Sequence, residues 1–399
     1  MSTTSDLSNS VRARYLNDYV SGAMSRMVYD QLAYPVTEDR EKLQRMSSVV
    51  VPFLSDMGLS EQTISETADI TPQKLRDATV SLTPTSRADA IQDSEKLLLE
   101  SYTGYGAARF EKLGENMTAS IEAVNMDASL AGNIVNRAIA RASLDAGTSG
   151  HNFSDAEIFD AGNTLKEMGC PSVVDQDGMA VPDGFVAVMH PDVYYDLLAG
   201  GNVVSIATYQ DKGIWLQGEV GSINGFRIVA SPFAKVFGAA GADNASVAAT
   251  TLSSASEALD KTIAVASATN LSSGRYLTIG TEETGSAFQH ENERVKYVSE
   301  AGTTVTLVGR GANGGLKFDH PSGTAVRNAD AAYPVLFGGP KSVAKAYASD
   351  VGEFGEVVGP NRDGIVEQFV NLGWKWYGGY GIINENWLVR GEYSSSLDA

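Results

Sequence analysis

The chain has 399 residues, 43% hydrophobic and 8% aromatic, which is enough for two or three domains and a full apolar core. A formal net charge of −19, from 49 acidic and 30 basic residues, argues against phosphate-driven nucleic-acid binding, which depends on clustered Lys and Arg. It suits a dense soluble population, or a container wall that must not adhere to DNA. The only cysteine, Cys170, excludes an intrachain disulfide. No window approaches 18 apolar residues, which excludes a spanning helix.

Taken in order, residues 1–46 are polar and balanced in charge, with Arg12, Arg14, Arg26, Arg40, Lys42 and Arg45 against Asp6, Asp18, Asp30, Glu38, Asp39 and Glu41. The start lacks the apolar core and cleavage site of a signal peptide. Tyr15, Tyr19, Met24, Met27, Tyr29 and Leu32 are scattered through it. The segment reads equally as an arm anchored on another subunit and as a frayed terminus. Ser47–Phe53 reads as a short apolar strand, residues 55–72 as a polar excursion, and Ala78–Leu82 as the returning strand. Such a long hairpin cannot bury itself and must lie on another surface or in solvent.

From Tyr105, the apolar residues Phe110, Leu113, Met117, Ile121 and Val124 recur at spacings of three and four, one face of a helix. The pattern extends through Leu130, Ile134 and Ala138 to about Ala142, a rod of roughly 50 Å. Gly114 and Gly132 are its points of interruption. Gly147–Gly150 is a loop. Ser154 to Glu157 forms a capping box opening a helix that Gly169 and Pro171 close. Cys170 sits at that stop with no His or Lys beside it, so it reads as an inert small residue.

The stretch Gly184–Leu198, GFVAVMHPDVYYDLL, is a buried strand stopped at His190, with Pro191 fitting the first turn of a short helix. Gly218–Phe233, GEVGSINGFRIVASPF, is a glycine-punctuated turn feeding a strand, Phe226–Val229, that Pro232 ends. Residues 238–330 change character: Ala, Ser, Thr and Gly dominate, with short runs at Thr262–Val265, Tyr276–Ile279, Arg294–Val298 and Thr303–Val308. The last two flank a tight turn at Glu300–Thr303. This predicts a small all-β module interrupting the framework, which resumes with the buried strand Ala332–Gly339 and a short helix from Pro340 to Tyr347. Ile365–Tyr393 is strand-rich. Trp374 and Trp376 share one strand face and Trp387 follows; a core strand pair is favoured over a carbohydrate platform because they alternate with ordinary core residues.

Chemistry is absent from the usual patterns. His151, His190, His290 and His320 show no zinc spacing, and neither H-E-x-x-H nor G-x-S-x-G occurs. Gly338–Ser342 breaks the phosphate-loop pattern, and Gly309–Gly315 reads as a flexible turn, not a dinucleotide site. Glu282-Glu283 and Asp175/Asp177 are solvated acidic doublets with no calcium-loop spacing. Four sequons, at Asn116, Asn152, Asn244 and Asn270, carry no weight without secretion. No catalytic, cofactor or metal residue is selected.

The order of elements, with Phe185–Leu198, Gly218–Pro232, AYPVLFGGPKSVAKAY at 332–347 and Trp374–Arg390 within GWKWYGGYGIINENWLVRGE, resembles the major capsid proteins of tailed bacteriophages, which have the HK-97 fold. Within that family it is similar to the N-four-like phage subfamily. The resemblance implies an α+β HK-97-like fold. It implies an N-terminal arm at 1–46, an extended loop at 47–100, and a spine helix with peripheral domain at 101–170. Axial and peripheral domains would take 171–237 and 331–399, with an inserted all-β domain at 238–330 on the outer face. It further implies a structural protein, not an enzyme, that self-assembles into hexamers and pentamers of an icosahedral shell enclosing DNA. The expected partners are further copies of itself, a scaffolding protein, a portal and decoration proteins. DNA would be touched only weakly and non-specifically, and no membrane is involved. The expected location is the virion capsid, after synthesis in the host cytoplasm. Two other readings stand beside it: a glycan-binding or adhesion protein of a virion surface using the β module and tryptophans, and a hydrolase with an unrecognised carboxylate pair, which composition cannot select.

Overall fold

The computed structural model describes residues 27–36, 48–55, 57, 59, 66–67, 72–100, 105–171, 184–201, 204–205, 219–232, 234–237, 249–269, 271, 276–280, 291–327, 332–347, 355–364 and 367–398. The chain divides into two compact units. Most of the expected arm, the acidic doublets Asp175/Asp177 and Glu282-Glu283, His290, and two sequons, Asn244 and Asn270, lie outside the described residues.

In the first unit, Phe369–Ile382 is the strand to which its neighbours pair. Thr85–Ser94 runs antiparallel to it, from Ser94 opposite Phe369 to Thr85 opposite Gly378. Glu356–Asp363 pairs on it from Lys375 to Phe369. Trp374 and Trp376 are buried, and the Trp374 indole donates to Asn116 Oδ1 at 2.9 Å. Buried rings cannot form an open carbohydrate platform, so the core reading of this pair stands. The expected hairpin is present as Val49–Leu54 against Asp77–Leu82, with Val49 opposite Leu82 and Leu54 opposite Asp77. Its faces alternate: Val49 and Val51 pack towards Leu82, Ala344 and Ala346, whereas Val50 and Leu54 are 53% and 71% exposed.

Two expectations fail here. The segment after Pro340 is not a helix. A tight turn holds Lys341 at φ 60° with Ser342 Oγ donating to Gly339 O, and Val343–Tyr347 follows as a strand, buried from Val343 to Ala346. Burial on both faces of a sheet overrides the helical propensity of its alanines. The long helix also ends early, at Ser129, so it is about 37 Å long instead of roughly 50 Å. Phe110, Leu113, Met117 and Ile121 face the core as the spacing requires. Gly132 then breaks the pattern, and Val135–Arg137 becomes a strand parallel to Leu388–Tyr393. The pairing replaces the backbone hydrogen bonds that another helical turn would have made.

In the second unit, a seven-stranded sheet among the described residues runs in the order Val135–Arg137, Leu388–Tyr393, Tyr333–Gly338, Phe185–Met189, Phe226–Ala230, Glu219–Ile223 and Val204–Ser205. Phe185–Met189 is buried throughout and pairs in parallel with Phe226–Ala230. Asn224 and Gly225 turn the last hairpin with φ of 47° and 78°, the left-handed pair that a two-residue turn demands. Helix Asp155–Glu167 opens with the expected capping box, the Ser154 N–H donating to Glu157 at 3.2 Å. Its Ile158, Ala161 and Leu165 enter the core beside Phe185, Phe226 and Phe337. Residues 27–36 are anchored on their own chain: the N–H groups of Val28 and Tyr29 donate to Glu122 Oε1 at 2.7 and 2.6 Å. Burial pushes the Glu122 carboxyl up to about 7.

The stretch expected to be a β module contains a sheet. Ala249–Thr251, Ala325–Arg327, Tyr276–Ile279, Glu293–Ala301, Thr304–Val308 and Thr262–Ala264 form one sheet in that order, with antiparallel pairings. It has its own core, including Leu252, Ile263, Leu277, Val295, Leu307 and Leu316. Phe237 and Ala332, on either side of this sheet in sequence, exchange backbone hydrogen bonds.

Candidate functional site

Buried charge gathers where the module meets the strand–helix unit, and the organising residue is His190. It ends the buried strand and caps helix Pro191–Ala199, with Pro191 in the first turn as expected. Asp192 lies in that first turn. From the module, Arg294 Nη1 reaches Asp192 Oδ2 at 2.5 Å, and Nη2 pairs with Asp398 near the end of the chain. The Tyr333 hydroxyl lies 3.0 Å from Asp192 Oδ2 and 2.8 Å from Asp398 Oδ2. The guanidinium of Arg294 also stacks over the Tyr276 ring at 3.7 Å. The chain end is sewn to the same helix: Ser395 Oγ donates to Asp192 O at 3.0 Å and the Ser396 N–H to Asp196 at 2.9 Å.

Arg310 supplies the second strap. It donates to Pro232 O at 3.0 Å and approaches His190 Nε2 at 2.8 Å. The loop that carries it is not the flexible turn that its glycines suggest. A side chain on Gly311 would sit 2.0 Å from Leu316 O, and one on Gly315 would sit 2.2 Å from Leu259 O. The glycines permit close backbone packing, and the loop holds Arg310 in place.

These groups fix the protonation of His190. Nδ1 accepts the Asp192 N–H at 3.2 Å as the helix cap, and Nε2 faces the Arg310 guanidinium, which can only donate, so donors meet both ring nitrogens and the doubly protonated imidazolium is disfavoured. Burial, aided by Arg310 and Arg294 and opposed by Asp192, depresses the imidazole to about 3. The balance is then two carboxylates, two guanidiniums and a neutral ring. Unfolded, His190 titrates near 6.5. Between about 6.5 and 3 the unfolded state therefore binds the extra proton, so the contribution is complete above 6.5 and is lost as pH falls. Wild type should lose about 3 kcal/mol more than His190→Asn between pH 6.5 and 4, at 1.4 kcal/mol per unit. Thermal denaturation across that range reads the difference; parallel curves would contradict it. Glu122 has the opposite sign, its contribution fading as pH rises from about 4.5 to 7, and it is common to both proteins.

A second buried charge cluster lies at the sheet edge. Glu392 is fully buried and receives Arg141 through Nη2 at 2.6 Å and Nε at 3.2 Å. Arg137 reaches the same carboxylate at 3.1 Å, as does Arg390. Arg390 also donates to Leu130 O just beyond the long helix, where the helix dipole favours a cation. Arg141 lies over the Phe237 ring at 3.6 Å.

Neither cluster contains a nucleophile beside a base. Among the described residues no group of three His, Cys, Asp or Glu is placed to hold a metal ion, and no helix is long and apolar enough to cross a membrane. Burial pushes the Cys170 thiol up to about 12, which agrees with an inert residue. His320 lies against Glu293 at 3.2 Å inside the module. That carboxylate also accepts the Lys317 and Phe318 N–H groups, a structural pin. Sequence reading missed Asp192, Arg294, Arg310, Tyr333, Asp398 and the Glu392 cluster. Only the last left a signal: Arg390 and Glu392 alternate onto one face of a strand otherwise made of core residues.

No protein-family model matches this sequence, and no curated protein sequence matches it. Solved structures do. The capsid of Ralstonia phage GP4 aligns at 11% identity with a TM-score of 0.54, over 93% of this chain and 92% of that one. Mycobacterium phage Che8 aligns at 12% identity over 92% and 91%, TM-score 0.48. The head structure of Helicobacter pylori bacteriophage KHP40 aligns at 9% over 91% and 86%, TM-score 0.48. The likeness to the GP4 capsid gives this chain a phage-capsid fold.

Proposed function

We propose that this chain is the major capsid protein of a tailed phage, assembling into hexamers and pentamers of a closed DNA-filled shell in the virion. The observation that carries the reading is the full-length likeness to the GP4 capsid. The role is structural, not enzymatic. In this reading residues 1–46 are the arm, 47–100 the extended loop, and 101–170 the spine helix and peripheral domain. Residues 171–237 and 331–399 form the axial and peripheral domains, and 238–330 an inserted module on the outer face. Scaffolding protein, portal and decoration proteins are the further partners, and synthesis is in the host cytoplasm. The N-four-like subfamily rests on the sequence motifs alone.

The hairpin supports the reading physically. One face of Val49–Leu54 packs on its own unit, and the other presents Val50 and Leu54 to solvent, with Met57 and Leu59 beyond at 62% and 95% exposure. Repeated apolar side chains on an exposed arm are stabilised when a neighbour covers them, and closed symmetry multiplies such contacts. The double variant Val50→Ser/Leu54→Ser should fold with nearly unchanged Tm, because exposed residues change stability by about 0.5 kcal/mol or less. It should need at least about tenfold more protein to assemble, each lost apolar contact being worth about 1 kcal/mol or more. Light scattering reads this, and assembly at the wild-type concentration would count against the hairpin's role.

A further inference from the structure

We propose that the sheet edge at Val135–Arg137 binds an acidic side chain from a second copy of this chain, with Arg137 as its cation. The proposal rests on the shell reading and names a contact within it. Three guanidiniums converge on the single Glu392 carboxylate: Arg141 hydrogen-bonds it through two nitrogens, and Arg137 Nε and Arg390 Nε each lie 3.1 Å from it. Arg141 has the two-pronged contact and an aromatic face beneath it. Arg390 is compensated in part by the carbonyl at the helix end. Arg137 has one contact, through Nε, and its side chain is 37% exposed. Among the described residues no second carboxylate pairs with it. The nearby Asp160 is held by Asn136 Nδ2 at 2.9 Å.

Position and surroundings favour a protein partner. Among the described residues Val135–Arg137 is the outermost strand of the seven-stranded sheet, and no described strand pairs with its outer backbone groups. Ile139, two residues on, is 38% exposed. Phe159, beside the Asp160 that Asn136 holds, is 51% exposed. A cation flanked by apolar side chains at a sheet edge fits a carboxylate carried on a protein segment. A second copy supplies such groups in excess, because the chain has 49 acidic residues against 30 basic ones. The same imbalance repels a DNA backbone, and one arginine is a poor phosphate track.

The test uses full-length wild type, Arg137→Gln, Arg137→Glu and Arg137→Lys, each checked for folding by circular dichroism. Sedimentation velocity gives the concentration at which each assembles. The proposal predicts at least a tenfold rise for Arg137→Glu and a smaller rise for Arg137→Gln, with added salt weakening wild type towards the Gln variant. Carbodiimide treatment of mixed nitrogen-14 and nitrogen-15 copies of the Lys variant should yield an isotopically mixed cross-link from residue 137 to an Asp or Glu. If wild type and the Gln and Glu variants assemble alike and no mixed cross-link forms, the cation only guards the edge, and the inference falls while the shell reading stands. Loss of double-stranded DNA binding in the Glu variant, with assembly unchanged, would overturn the choice of partner. Failure of wild type to assemble at any concentration removes the shell reading, and this inference with it.

Discussion

Glu392→Gln is expected to destabilise the second unit by about 4 kcal/mol, the range measured when one partner of a buried ion pair is removed. The amide keeps the volume, so no cavity contributes. The loss comes from Arg141 and Arg390, 12% and 7% exposed, left beside each other without their carboxylate. Much of a domain's total stability of about 5–15 kcal/mol would go, and soluble yield should fall. Chemical denaturation of purified protein gives the number. Adding Arg141→Met to Glu392→Gln should recover part of it, because an apolar side chain of similar length then covers Phe237. A single variant as stable as wild type would mean that the guanidiniums are solvated and the cluster is not a buried one.

Arg294→Ala is expected to cost about 3 kcal/mol and to change the form of unfolding as well as its midpoint. Among the described residues Arg294 is the cation that touches both Asp192 and Asp398. Without it, two largely buried carboxylates share a single tyrosine hydroxyl, and like charges at that distance repel. The module keeps its own core, so differential scanning calorimetry should show its transition separating from that of the framework. Arg294→Met, which keeps the packing over Tyr276, should separate the transitions in the same way. A single unchanged transition in both variants would show that apolar contact, not charge, fixes the module.

Much of the framework was legible because its signals are local. The three-and-four spacing from Phe110 to Ile121, the Ser154–Glu157 box, the His190–Pro191 stop and the Asn224–Gly225 turn each encode their geometry within a few residues. The alternating runs of the module did the same for its strands. The failures were tertiary. Val343–Tyr347 has a helix-forming composition and is a strand because the sheet buries both its faces. The long helix stops because Val135–Arg137 finds a partner some 250 residues later. The charge clusters were invisible for the same reason: Asp192, Arg294, Tyr333 and Asp398 span more than 200 positions, and no spacing rule links them. Gly309–Gly315 misled in the opposite sense, since glycines that permit close packing look the same in sequence as glycines that permit motion.

The central claim, that this chain builds a shell, is tested most directly by negative-stain electron microscopy of the purified full-length protein over a rising concentration series, with and without a crowding polymer. The account predicts closed shells, tubes or six-fold rings above a threshold concentration. Uniform single-chain particles throughout, with a compact, protease-resistant hairpin at 49–82, would contradict it.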